Sequence, residues 1–203
     1  MIHAQQHAPP IRSLVLAGGA STRMGVDKAL LRLHGQTQVS RVVRLLELVA
    51  PPVYVSVRPR QTFHPAFRGL HLLEDREEGV GPLEGLLSAF REEPGCAWLA
   101  VAVDMPFLTR ETLRRLIECR DPSALATAYR NPDTDRPEPV CTIYEPAILP
   151  TLLEAKTQKR YSLMLLRDVP LRLVEPTRAG ELRNVNDPDE LRKAGGISFP
   201  PVP

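Results

Sequence analysis

A branched apolar run, residues 13–17 (SLVLA), stops at Gly18-Gly19. Such a run closed by glycines reads as a buried strand entering a loop. Similar runs recur at 53–57, 70–73 and 98–103. The last of these, WLAVAV, is uniformly apolar, as expected of a central strand buried on both faces. Between the runs the spacing turns helical. Val39, Val42, Val43, Leu46 and Val49 share one stripe, with Thr37 as N-cap and Pro51-Pro52 as the stop. Leu83, Leu86, Leu87 and Phe90 form another behind Pro82, a residue suited to a first helical turn. A helix over 110–119, strands at 124–129 and 140–144, a helix at 147–154, a strand at 171–175 and a helix from Pro188 complete the pattern. Strands alternating with helices predict an α/β fold, a three-layer α/β/α Rossmann-like arrangement around a mostly parallel central sheet. Residues 130–139 hold three prolines among charges and are expected to be an exposed loop. The expected domain is single and spans 11–194, with 1–10 and 195–203 as loose tails.

Composition narrows the function class. The 203 residues carry 26 Lys+Arg against 24 Asp+Glu, so a net charge of +2 gives no reason to expect a nucleic-acid or anionic-membrane partner. Cys96, Cys119 and Cys141 form no Cys-x-x-Cys pair, which argues against a disulfide scaffold or zinc knuckle and for a reduced, cytoplasmic setting. No apolar run approaches a bilayer's thickness, and residues 1–10 lack a basic segment followed by an apolar one, so neither a membrane span nor a secretion signal is expected.

Most of the chemistry lies in residues 16–28, LAGGASTRMGVDK. The segment follows the first expected strand, at the edge where open α/β sheets bind ligands. Glycines there let backbone N–H groups approach phosphates or a base, and Arg23 and Lys28 supply positive charge for a polyphosphate. Gly25 is followed by Val26-Asp27-Lys28, so this is neither a Walker A loop nor G-x-G-x-x-G. Asp104 follows the apolar 98–103 run. Alone it reads as a turn or cap; beside a phosphate loop it is the best candidate ligand for Mg²⁺, which prefers oxygen donors and takes one or two carboxylates plus substrate phosphates.

The string L-A-G-G-x-S-x-R-M-G-x-D-K-x-L-L resembles the opening signature of the MobA-like nucleotidyltransferases, and within them that of the molybdenum cofactor guanylyltransferases. The resemblance runs from about Ser13 to Leu191 and recurs at Glu74-Asp75, Gly81-Pro82-Leu83-Glu84-Gly85, Asp104-Met105-Pro106 and Asn184-Val185-Asn186.

It implies transfer of GMP from GTP to molybdopterin or its molybdenum-loaded form, with Mg²⁺ as cofactor and pyrophosphate as the second product. Implied partners beyond the substrates are a receiving molybdoenzyme or a chaperone. Catalytic roles fall on Arg23, Lys28 and Asp104, with the metal on Asp104. GTP contacts fall on Leu16, Ala17, Gly18, Gly19, Lys28, Ser56, Asp75 and Asp104. Ser56, or the neighbouring Arg58, stands where the family carries a polar residue at the end of the second strand. Asp75 as a carboxylate can accept from guanine N1–H and N2–H₂, and a glycine at 18 leaves room that a larger residue would take from a purine. Pterin contacts fall on Gly25, Gly81, Asn184 and Asn186; Lys159 and Arg160 read as a solvated basic face. Asn186 or Asp187 also suits capping of the helix expected from Pro188. Two other readings stay open: a cytidylyltransferase for the same cofactor or another phosphorylated acceptor, and a non-catalytic GTP- or pterin-binding carrier.

Overall fold

The structure is a computed structural model that describes residues 8–18, 27–33, 35–77, 79–185 and 197–198. The first apolar run becomes strand β1, Ile11–Leu16. Two short strands follow, β2, Arg32–Leu33, and β3, Gln36–Thr37. Thr37 then caps α1, Gln38–Glu47, its Oγ1 accepting from Ser40 N at 3.3 Å. Next come β4, Val53–Val57, β5, His71–Glu74, and α2, Pro82–Glu92, with Pro82 in its first turn. Five of the six residues of the WLAVAV run lie in β6, Ala97–Ala102, buried at every residue, and Val103 begins the turn after it. It leads to α3, Arg110–Glu118. Strands β7, Ala126–Asn131, and β8, Arg136–Tyr144, precede α4, Leu149–Thr157, and β9, Leu171–Val174. A last pair of residues forms β10, Ile197–Ser198.

Seven strands make the central sheet in the order β5-β4-β1-β6-β8-β7-β9. All the pairings are parallel except those of β8, which runs antiparallel to both β6 and β7. Side-chain alternation sorts the two faces. Val15, Leu99 and Val101 pack with Val39, Val42 and Leu46 of α1 and with Leu113 and Leu116 of α3. Leu14, Leu16, Trp98 and Ala100 pack with Leu83, Leu86 and Phe90 of α2 and with Leu152 and Ala155 of α4. The sheet thus separates two apolar layers, each covered by helices, as the α/β reading expects.

The expected loop at 130–139 is instead a β-hairpin whose turn is only 132–135. Proline density suggests a break, but Pro137 lies opposite Arg130, where a register shift between Ala128 and Arg130 interrupts the ladder. A missing N–H is tolerated at such an irregularity. Glu138 is 4% exposed, so the strand is not a surface loop. The 147–154 helix begins at Leu149, after a 3₁₀ turn at Pro146–Ile148. At the segments expected to be loose, Pro10 O accepts from Ala97 N at 2.9 Å, and β10 pairs antiparallel with β2. The helix expected from Pro188 lies outside the described residues.

Candidate active site

The parallel pairings align the carboxyl ends of β5, β4, β1 and β6. Leu16 is in register with Ser56 on one side and Ala102 on the other, and Ser56 with Leu73. The residues just beyond those ends, Asp75, Arg58, Ala17, Gly18 and Asp104, therefore line one edge of the sheet. That is where an open α/β sheet receives ligands.

At the β6 end, Lys28 Nζ donates to Asp104 Oδ2 at 2.9 Å. Lys28 opens a short 3₁₀ turn, Lys28–Leu30, capped by Asp27, whose Oδ1 accepts from Ala29 N at 3.0 Å. Asp27 Oδ2 accepts in turn from Gln61 Nε2 at 2.5 Å and lies 3.5 Å from Arg58 Nη2. The stretch that delivers Lys28 is thus pinned to the connection after β4. Asp104 is held from the other side, its backbone O accepting from Val185 N at 2.9 Å. Its Oδ1 is buried without a hydrogen-bond partner. Lys28, Leu31, Gln38, Val103, Asp104, Pro106 and Val185 line a cleft at this end.

At the β5 end, Ser56 Oγ donates to Asp75 Oδ1 at 2.7 Å. Asp75 N donates to Val57 O at 2.9 Å, which fixes the residue past the strand end. Burial pushes the Asp75 carboxyl up to about 6; the Ser56 hydrogen bond opposes that rise, and nearby Glu84 adds to it. A Cβ on Gly18 would stand 2.5 Å from Asp75 Oδ2. The room left by glycine 18 is therefore occupied by the Asp75 carboxylate itself. Ser56 is 2% exposed and spends its hydroxyl on Asp75, so it positions that carboxylate. A Cβ on Gly85 would stand 2.5 Å from Ser56 Oγ, so the glycine after the first turn of α2 is what lets the helix close over this pair.

Leu16 and Ala17 are buried. Leu16 O accepts from Val103 N at 3.4 Å, Ala17 N donates to Ser56 O at 3.0 Å, and Ala17 O accepts from Gln61 Nε2 at 3.1 Å. These groups are spent inside the fold, so amides for a phosphate begin beyond Ala17. Gly81 is the N-cap of α2 at φ +69°, a conformation that favours glycine. Asn184 precedes the residue bonded to Asp104, and its Oδ1 is buried without a partner. Gly19, Arg23, Gly25 and Asn186 lie outside the described residues. Lys159 and Arg160 are exposed, and Arg160 Nη2 lies 3.6 Å from Asp168, as a solvated basic face would.

A family model, the MobA-like NTP transferase domain, matches residues 13–173. The chain belongs to the MobA-like NTP transferase family. Members are nucleotidyltransferases, and this chain is an enzyme of that class. It is 34% identical to a probable molybdenum cofactor guanylyltransferase of Opitutus terrae, over 83% of this chain and 85% of that protein. It is 33% identical to a molybdenum cofactor biosynthesis bifunctional protein of Synechocystis sp., over 89% of this chain; it spans only 52% of that longer protein. Among solved structures, its fold is similar to that of molybdopterin-guanine dinucleotide biosynthesis protein A from Archaeoglobus fulgidus, with a TM-score of 0.75 at 22% identity, over 90% of this chain and 96% of that one.

Three residues of this MobA-like site are not apparent from the sequence. Arg41 of α1 donates through Nη1 to Met105 O at 3.2 Å and through Nη2 to Leu108 O at 2.5 Å, bracing the loop behind Asp104. Gln61 ties Ala17 to Asp27. Glu138, pushed up by burial and further by the charge of Asp104, accepts from Asn131 Nδ2 at 2.9 Å. Arg41 and Gln61 look like ordinary surface residues in the sequence; only the apolar spacing of Val39, Val42 and Val43 around Arg41 hints that this residue sits beside the buried stripe of α1.

Proposed function

We propose that this enzyme transfers GMP from GTP to the phosphate of molybdopterin or its molybdenum-loaded form. An oxygen of the acceptor phosphate forms a bond to the α-phosphorus, the α–β phosphoanhydride bond breaks, and its electron pair leaves with pyrophosphate. The observation that carries this reading is the row along one sheet edge. A carboxylate suited to guanine, Asp75, stands at one end, and a lysine–carboxylate pair suited to phosphates, Lys28–Asp104, at the other. Gly18 lies between them. The guanylyltransferase named above among the relatives supports the same choice of reaction.

In this reading Asp75 accepts from the guanine N1–H and N2–H₂, with Ser56 orienting it. Gly18 and Gly19 present backbone amides, and Arg23 and Lys28 hold the triphosphate. An ionised acceptor phosphate is already a nucleophile, so positioning and charge neutralisation carry the acceleration, with no covalent enzyme intermediate. Gly25, Gly81, Asn184 and Asn186 would receive the pterin; the orphaned Asn184 Oδ1 is an acceptor available to it.

Two mutually repelling phosphates call for a divalent cation. Among the described residues no group of three or more His, Cys, Asp and Glu side chains could hold one alone. Mg²⁺ does not need such a cage, because it keeps waters and substrate phosphates as ligands. The buried, unpartnered Oδ1 of Asp104, with Lys28 satisfying Oδ2, fits that demand. When bound, the ion would neutralise charge on the triphosphate and on the leaving pyrophosphate. Asp104 would hold it.

Among the described residues no helix is long and apolar enough to cross a membrane. The three free cysteines, two of them buried, agree with a reduced cytoplasmic setting.

The reading is tested by pyrophosphate release with molybdenum-loaded cofactor and GTP, CTP or ATP in parallel. Release with GTP well above the others is expected. Preference for CTP would make the chain a cytidylyltransferase, and GTP binding without release would make it a carrier.

A further inference from the structure

Gln38 opens α1 and is 2% exposed. Its backbone N–H donates to Leu31 O at 2.8 Å, yet neither Oε1 nor Nε2 of its side chain has a hydrogen-bond partner. A primary amide offers two donors and two acceptor sites. Burying it with none of them used is costlier than burying an apolar side chain of the same length. The rest of the buried stripe on α1, Val39, Val42, Val43 and Leu46, is apolar, so the helix carries that cost at one position only.

The position is telling. Gln38 lines the same cleft as Lys28, Asp104, Pro106 and Val185. Asp104, in that cleft, carries an orphaned oxygen of its own, and Asn184, next to Val185, carries a third. Gln38 is also the first residue of α1, so the cleft lies at the positive end of the helix dipole. Asp75 and Ser56, the nucleobase end in the reading above, lie toward the β5 edge of the sheet, beyond β1 from β6.

We infer that Gln38 is an acceptor-binding residue, its Nε2 donating to the phosphate-bearing end of the acceptor substrate and its Oε1 taking a hydrogen bond from water retained beside that phosphate. A neutral amide suits the place. A second cation there would compete for Asp104, and a second carboxylate would repel the phosphate. The inference rests on the guanylyl-transfer reading, and wild-type pyrophosphate release tests that reading separately, before any variant is assayed.

The experiment compares wild type with Gln38→Met and Gln38→Glu. Acceptor is titrated at saturating GTP, GTP is titrated at saturating acceptor, and thermal melting is followed without substrates. Gln38→Met, similar in length and free of polar hydrogen-bonding demands, is expected to raise the acceptor KM about tenfold, the cost of one or two lost hydrogen bonds. Its GTP KM should stay within about twofold of wild type, and its melting temperature should be equal or higher, as when an unsatisfied buried amide is replaced by an apolar group of like shape. Gln38→Glu should raise the acceptor KM further by charge repulsion, so the assignment does not hang on one variant. An unchanged acceptor KM in both variants, or a rise confined to GTP, overturns it.

Discussion

Lys28 and Asp104, 76 residues apart in the chain, meet at 2.9 Å beyond the carboxyl end of β6, each side chain about one-fifth exposed. The pair is held in place by its neighbours in the fold. Lys28 rides on a turn capped by Asp27, and Asp104 is tethered through its own carbonyl to Val185. Such preorganisation spares the reorganisation that would otherwise accompany charge development.

Asp104→Ala is therefore expected to lower pyrophosphate release by about 10²–10³-fold or more, the scale on which preorganised charge stabilisation is lost. Circular dichroism and melting should show a folded chain, because a partly exposed ion pair contributes about 0–1 kcal/mol. Turnover that survives in Asp104→Ala would remove the metal assignment.

Asp75 makes the enzyme's nucleotide affinity pH-dependent. Its carboxyl titrates near 6 in the folded chain, above its ordinary 3.8, because burial disfavours the anion. A raised acid favours the protonated folded state. That contribution is complete below about 4 and is lost as pH rises through about 6, costing up to about 3 kcal/mol. Guanine N1–H and N2–H₂ need the anion. The GTP KM should therefore fall as pH rises from 5 to 7.5, and GTP should raise the melting temperature more at pH 7.5 than at pH 5. Asp75→Asn should flatten both trends, raise the GTP KM about 10–100-fold, as loss of a two-point base contact does, and stabilise the free enzyme above pH 7. A GTP KM with the same pH slope in Asp75→Asn would take base reading away from this residue.

Gly18 and Asp75 compete for one space, since a Cβ at 18 would stand 2.5 Å from Asp75 Oδ2. Gly18→Ala should push the carboxylate aside and raise the GTP KM by about tenfold or more, the equivalent of roughly 1.4 kcal/mol. The two effects are one effect. Gly18→Ala on top of Asp75→Ala should cost little beyond Asp75→Ala alone, a strong non-additivity that a double-mutant cycle measures. Additive losses would mean that glycine 18 serves the ligand directly.

The strand that ends just before Gly18, the acid after β6 and the proline-led helix α2 are legible because each follows from a local rule. What stayed hidden depends on tertiary neighbours. The hairpin at 126–144 was obscured because a proline count cannot tell that Pro137 falls beside a register shift. The reversal of β8 between β6 and β7 follows from strand adjacency, which periodicity does not encode. Ser56 could be picked out as polar at a strand end, yet only its 2.7 Å contact shows that it serves Asp75. The Glu84 network is of the same kind. Glu84 is fully buried, paired with Arg91 and, at 2.8 Å, with Lys156 of α4, so a residue that looks like a helix-surface acid joins two helices.

Arg41 gives the last test, of positioning rather than chemistry. Its guanidinium, driven below its ordinary pKa by burial, bonds the carbonyls of Met105 and Leu108 and so shapes the turn that begins with Asp104. Arg41→Met keeps the aliphatic stem but leaves the Leu108 carbonyl without this donor, while Met105 O still accepts from Leu108 N at 3.3 Å. Losing charge-assisted hydrogen bonds to buried carbonyls should cost about 2–3 kcal/mol of stability, read as a lower midpoint in urea. Because Asp75, Ser56 and Gly18 are untouched, the GTP KM should hold while kcat falls about tenfold, as expected when a group acting at the reacting phosphates is misplaced by a fraction of an ångström. Arg41→Lys, which keeps the charge but can reach only one carbonyl well, should fall between. A rise in GTP KM with kcat intact would show instead that Arg41 serves nucleotide binding, and the link from α1 through the 105–108 turn to Asp104 would then carry no catalytic weight.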